Sequence, residues 1–334
     1  MNDKDYKILV NKICKKTGFV LDKIIYKGNY YKKAEIRNTI FSGTYKNNPA
    51  ILKIYNDKRL TDEPLSLNYF NKKNKSKILS APKIYNYEIT SCRAGWFIME
   101  KLPEDGKFFK QPLSQKERKE FLNIYLEYKK HFPKKPHRNL DLAEKLNSAE
   151  FHLFRIHRWF ELAVIRDEEE YLKYQRRILE PAEFIPIYRK AIKIIKKEFK
   201  NRKMVWCHGH FKPHEICKIS NNEYYLIDFA HTKMYPEGYE LGFIIWADWL
   251  MGADWKLDYR EWKKGIQEWI AEMKIVNEKL KIERFDSLIR ASLVERSLGT
   301  ILADITAADR PFEEKERRIK LLYKLIDDLA NKKI

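Results

Sequence analysis

The sequence predicts an α+β protein in two parts: a small, strand-rich N-terminal part over residues 1–102 and a larger, mainly helical part over 103–334. Two observations carry this. Residues 38–102 hold short β-rich runs around one helical segment, and beyond Pro103 apolar residues recur instead at the three- and four-residue spacing of a half-buried helix.

The elements follow in order. In NTIFSGTYKNNPAILKIY (38–55), two β-rich runs flank the turn-forming KNNP and predict a hairpin. SLNYFNKKNKSKI (66–78) predicts a short helix, with Leu65, Tyr69 and Phe70 near helical spacing. Two further strands are expected over 81–89 and 95–102, and the rest of the first hundred residues reads as mostly strands. Past Pro103, Ser114 and Glu117 form the capping box of a new helix, whose apolar residues at 121, 122, 125, 126 and 128 define one buried face. Helices are expected over 139–164, 168–180 and 182–200. A strand-rich island covers 203–229, and residues 259–334 are helical again.

A hydrophobic content of 44% supports a packed core, and the sequence has no eighteen-residue apolar run of the kind that spans a bilayer. The first residues carry scattered charges and no apolar stretch of a secretory signal. Four dispersed cysteines, Cys14, Cys92, Cys207 and Cys217, with no CxxC pair, fit a reduced, cytoplasmic protein. The net charge of +20 favours anionic partners such as nucleotides. It is mostly lysine spread along the chain, without an arginine-rich block or nucleic-acid motif, so no specific nucleic-acid partner is expected. DEEEY (167–171) is the one dense acidic run and reads as a solvated helix start.

The chemistry is concentrated in VWCHGHFKPHEICKISNNEYYLIDFAHTKMYPEGYELGF (205–243): an apolar approach, a polar loop with three histidines, a short hairpin, and Asp228 closing an apolar strand. This stretch resembles the catalytic segment of the aminoglycoside phosphotransferase and choline kinase family. There, His-Gly-Asp is followed after four residues by Asn, and about a dozen residues later by Ile-Asp-Phe or Ile-Asp-Trp. His208, Gly209, Pro213 and Ile216 match the loop, and Ile227, Asp228 and Phe229 match the strand end. Glu240 stands where the family has a structural acid. His210 replaces the family's catalytic aspartate, and Glu215 its metal-ligating asparagine.

The N-terminal part supports the same resemblance. Lys53 in PAILKIY is similar to the kinase lysine on the α- and β-phosphates, and Glu63 to its helix partner. Ser42 and Gly43 are all the hairpin carries towards a phosphate-covering loop, a weak one. FIMEKLP (97–103) resembles the hinge, where backbone groups of Glu100 to Leu102 would hold adenine.

The resemblance implies a two-lobed, protein kinase-like fold that uses ATP and Mg²⁺ to phosphorylate a hydroxyl of a small molecule. Lys53, Glu63, Ser42, Gly43, Glu100 and Leu102 would face the nucleotide, and Asp228 and Glu215 the metal. His210 would stand at the acceptor hydroxyl, with His208 bracing the loop. A neutral imidazole can accept a proton from a hydroxyl but supplies no fixed negative charge. Three readings therefore stay open: a kinase using His210 or an acid elsewhere; a pseudokinase that binds nucleotide or a partner without phosphoryl transfer; and a metal-dependent hydrolase built on His208, His210, His214 and Asp228. Trp246, Trp249 and Trp255 follow the segment and either line a pocket or belong to the core.

Overall fold

The computed structural model describes residues 3–29, 36–308 and 310–334. The chain forms two compact units, each built from separate stretches of sequence: 1–109, 127–137 and 214–232 in the first, and 110–126, 138–213 and 233–334 in the second.

The first unit opens with helix α1 (Asp3–Thr17). The strand expectation for the first hundred residues misses it, although Tyr6, Val10 and Ile13 stand at helical spacing and are all buried. Five antiparallel strands follow: β1 (Val20–Asn29), β2 (Ile36–Tyr45), β3 (Asn48–Asn56), β5 (Ile84–Ile89) and β6 (Ala94–Glu100), in the order β1-β2-β3-β6-β5. The expected hairpin is β2–β3, and its turn places Lys46 and Asn47 at φ 50° and 66°. Two successive positive φ values give the turn the twist that matches paired strands. Between β3 and β5 lie helices α2 (Lys58–Thr61) and α3 (Glu63–Lys73) and the two-residue strand β4 (Leu79–Ser80). A second sheet runs β4-β10-β9-β7, with β7 (Lys107–Phe108), β9 (Ile216–Ser220) and β10 (Glu223–Leu226). The later part of the strand-rich island, β9 and β10, therefore joins the N-terminal strands.

The second unit is mainly helical. Ser114 and Glu117 cap α4 (Gln115–His131) reciprocally: the Ser114 N–H donates to Glu117 Oε2 at 2.9 Å, and the Glu117 N–H to Ser114 Oγ at 3.4 Å. The next long helix, α5 (Ser148–Tyr174), is continuous where the sequence predicts a break near 165. It is followed by α6 (Pro181–Glu198), and β8 (Met204–Cys207) pairs with β11 (Lys233–Pro236). The remaining helices are α7 (Tyr239–Ile245), α8 (Tyr259–Leu280), α9 (Phe285–Gly299) and α10 (Phe312–Ala330). Wider π-helical turns extend α7 over Trp246–Leu250 and α9 over Thr300–Ile305.

The acidic run 167–171 is not a solvated helix start. It lies in the last turns of α5, and Asp167 and Glu170 are buried. Asp167 Oδ1 accepts the Ile178 and Leu179 N–H groups, both at 2.8 Å, and Glu170 pairs with buried Lys315 at 2.9 Å. Backbone donors of the following loop and a cation of α10 need these carboxylates, which local charge density does not reveal.

Candidate functional site

In the first unit, β3 carries Lys53 opposite Ile40 of β2 and Phe97 of β6. A central strand with buried residues on both sides forces this lysine inward, and only 6% of it is exposed. Its Nζ lies 2.6 Å from Glu63 Oε2 and 5.7 Å from the centre of the Phe97 ring. Glu63 is the first residue of α3, with Pro64 next to it, a residue suited to a helix's first turn because its missing N–H has no partner to lose there. Burial alone would lower the Lys53 ammonium's pKa, but the Glu63 and Asp228 carboxylates hold it above the usual lysine range. Burial raises the Glu63 carboxyl, with Lys53 opposing it.

Asp228 reaches this pair from the β9–β10 hairpin. Leu226 pairs with Ile216, and the Ile227 N–H donates to the Glu215 carbonyl at 3.0 Å. Glu215 and Asp228 thus emerge at the same end of the hairpin. Asp228 is left-handed, with φ 59° and ψ 65°, a conformation aspartate tolerates better than most residues. The next residue, Phe229, is buried 5.3 Å from Phe70 of α3, which in turn packs on Phe132. This aromatic anchor fixes the direction in which Asp228 leaves the hairpin.

The other nucleotide-side candidates have local structural duties. Ser42 and Gly43 lie within β2, away from the Lys46–Asn47 turn. The buried Ser42 hydroxyl donates to Asp22 Oδ2 at 3.0 Å, and a Cβ at Gly43 would stand 2.1 Å from the Val20 carbonyl oxygen. Glu100 ends β6: its N–H donates to the Lys83 carbonyl at 2.8 Å, and the Lys101 N–H to that of Pro49 at 3.3 Å. Leu102 is the first hinge residue past these sheet bonds.

The polar loop up to Pro213 lies in the second unit. His208 is fully buried, its ring edge-on to Phe211 at 6.5 Å, and Phe211 sits between Phe121 and Tyr125 at 5.3 Å from each. Gly209 adopts φ 76°, and its N–H donates to buried Glu240 Oε1 at 3.0 Å. The left-handed glycine and the acid at the start of α7 together set the loop's turn. His210 is half-buried with its ring 4.9 Å from Phe243.

The three tryptophans separate. Trp246 Nε1 donates to Thr300 Oγ1 at 2.6 Å, and the Trp249 ring packs against Gly265, where a Cβ would lie 2.2 Å away. Trp255 lines a cavity of about 110 Å³ together with Met251, Trp262, Thr300, Arg318 and Asp304. The sequence reading passes over Asp304: it is one acid in a helical stretch of ordinary composition, and only the fold brings it near residue 210.

No protein-family model matches the chain, and no curated protein matches it in sequence. Solved structures do match. A putative aminoglycoside phosphotransferase from Ralstonia eutropha is 10% identical, with 98% of each chain covered and a TM-score of 0.59. The choline kinase from Streptococcus pneumoniae is 12% identical, over 98% of this chain and all of that one, with a TM-score of 0.54. A spectinomycin phosphotransferase in complex with ADP and spectinomycin is 11% identical over 96% and 98%, with a TM-score of 0.55. The chain has the protein kinase-like fold of the aminoglycoside phosphotransferases and choline kinase.

Proposed function

We propose that the protein is an ATP-dependent phosphotransferase acting on a hydroxyl group of a small molecule. The observation that carries this is the buried Lys53–Glu63 pair with Asp228 beside it, in a fold whose solved examples bind ADP together with small-molecule substrates. A buried ammonium costs several kcal/mol in desolvation. Its placement beside two acids supports a site built to hold polyphosphate. Lys53 would neutralise phosphate oxygens, with Glu63 fixing its position, and the hinge at Glu100–Leu102 would take the adenine.

Phosphoryl transfer of this kind uses Mg²⁺, which Asp228 and Glu215 would hold. Asp228 and Glu215 offer carboxylate oxygens, the hard ligands this ion takes, from one end of a hairpin. Bound there, the ion would neutralise charge on the transferring phosphoryl group. His208 and Glu240 would brace the loop, and His210 would stand at the acceptor.

The substitution at 210 favours a second reading, a nucleotide-binding pseudokinase. Titration calorimetry with ATP and Mg²⁺ on wild type and Asp228→Asn tests the nucleotide site, since asparagine removes the charge while tolerating the left-handed backbone. Mg²⁺-dependent binding lost in the variant supports both readings, whereas absence of binding by folded wild-type protein overturns both. ATP turnover across a panel of alcohols, with His210→Asp alongside, then separates enzyme from pseudokinase.

A further inference from the structure

The position where the fold's solved relatives would carry an aspartate is His210, and the second unit holds another carboxylate within electrostatic reach of it. Asp304 lies on the π-helical turn Thr300–Ile305 that extends α9, a widened geometry that recurs at functional sites. The turn is held from two sides. Arg166 Nη1 donates to the Ala303 carbonyl at 3.2 Å, and Trp246 Nε1 to Thr300 Oγ1. Arg296 lies 3.9 Å from the centre of the Trp246 ring and 5.3 Å from that of Phe243, the ring against His210. The wall between His210 and Asp304 is therefore a packed set of aromatic rings and one guanidinium.

Asp304 lines the cavity of about 110 Å³, and its buried Oδ2 has no hydrogen-bond partner among the described residues. An unpaired buried carboxylate oxygen is costly, and a donor arriving from the cavity would satisfy it. Burial pushes this carboxyl up, with Arg296, Arg166, the Thr300 hydroxyl and His210 drawing it the other way. The rest of the lining is mostly apolar: Trp255, Trp262, Met251 and Leu322 among others. Arg310 and Arg318 also line it and share the single carboxylate of Glu314, so the rim keeps a net positive charge.

We propose that this cavity binds a small alcohol with an apolar or aromatic body, whose hydroxyl donates a hydrogen bond to Asp304. At about 110 Å³ the cavity is smaller than the roughly 150 Å³ dry cavity known to host benzene, but it is partly open, so a single-ring body fits with its substituent towards the rim. A polycationic aminosugar does not fit such a cavity in size or charge.

Benzyl alcohol and toluene are the test probes, titrated against the full chain with tryptophan fluorescence as the readout. Wild type is expected to bind benzyl alcohol about tenfold more tightly than toluene, as a hydrogen bond to a charged group implies. Asp304→Leu should erase that preference and leave toluene unchanged, and Ala308→Trp, which fills the cavity, should abolish both. Equal binding of the two probes by wild type, or benzyl alcohol binding that survives Ala308→Trp, overturns the proposal. These two results decide even if Asp304→Leu fails to fold. Binding of ATP with Mg²⁺, measured on the same samples, separates the failures: its absence from wild type sinks the phosphotransferase reading and leaves the cavity result standing.

Discussion

The Tyr239 hydroxyl donates to Glu295 Oε2 across 2.6 Å, with both side chains buried in the second unit. Around them stand His152, its Nδ1 3.4 Å from Glu295 Oε1, and Arg155, 3.8 Å from the same oxygen. Burial would raise the Glu295 carboxyl, but Arg155 and His152 hold it well below the usual carboxylate range. This is a charged cluster in which Glu295, Tyr239 and His152 are buried and Arg155 is partly exposed.

Tyr239→Phe removes only the donor and should cost about 1–3 kcal/mol, the penalty of an unsatisfied buried partner. Glu295→Ala leaves Arg155 without its buried counter-charge and should cost about 3–5 kcal/mol. Urea denaturation of both variants reads this; equal and small losses would mean that the cluster contributes little.

The Lys53–Glu63 pair should behave as one unit. Lys53→Met is expected to weaken ATP affinity about tenfold or more, because a charge-assisted phosphate contact is worth about 1.5–3 kcal/mol. Glu63→Gln should have a smaller effect through loss of positioning. In a double-mutant cycle on stability, the double variant should lose less than the sum of the singles. Additive losses would show that the two are not coupled.

Gly43 is required by proximity to a neighbouring strand. A Cβ there would lie 2.1 Å from the Val20 carbonyl oxygen and 2.7 Å from the Phe19 ring. Gly43→Ala should therefore cost about 1–3 kcal/mol by overpacking, despite alanine's lower chain entropy in the unfolded state. A thermal unfolding midpoint equal to that of wild type would contradict this packing.

Asp248 gives a pH dependence opposite to that of an ordinary ion-paired acid. Buried between the Leu113 N–H at 3.0 Å and Trp269 Nε1 at 2.8 Å, it is pushed up to about 6 by desolvation, which the two hydrogen bonds and nearby Arg118 only partly offset. The folded state then holds this proton at pH values where the unfolded chain has released it. Its contribution to stability should rise as pH falls from about 6 towards 4, by up to about 3 kcal/mol. Asp248→Asn should flatten that part of the profile in urea melts at successive pH values; an unchanged slope would assign it to other groups.

Local signals made much of this fold legible. The Ser114–Glu117 box, the β2–β3 hairpin and the apolar strand ending at Asp228 are patterns of a few neighbouring residues, and each forms as expected. So does the meeting of Lys53 and Glu63, which needs only one strand followed by one helix. Helix α1 escaped because its lysines mask three buried residues at helical spacing. Asp167 and Glu170 were misread because their partners, Ile178, Leu179 and Lys315, come later in the chain. Asp304 is the extreme case, since its proximity to His210 exists only after the helices of the second unit have packed.

The composition of the first unit from separate stretches has a consequence for how the chain is made. Strands β9 and β10 lie at the centre of its second sheet, with β4 and β7 at the edges, and they emerge from the ribosome only once residue 226 has been added. At about 5–20 residues per second, the segment after β7 takes on the order of ten seconds to synthesise. Throughout that interval β4 and β7 have no neighbour to bond, and the Lys53–Glu63 pair waits without Asp228. The second unit's helices α5 and α6 are meanwhile already out, so the first unit closes around strands made only after part of the second unit has appeared.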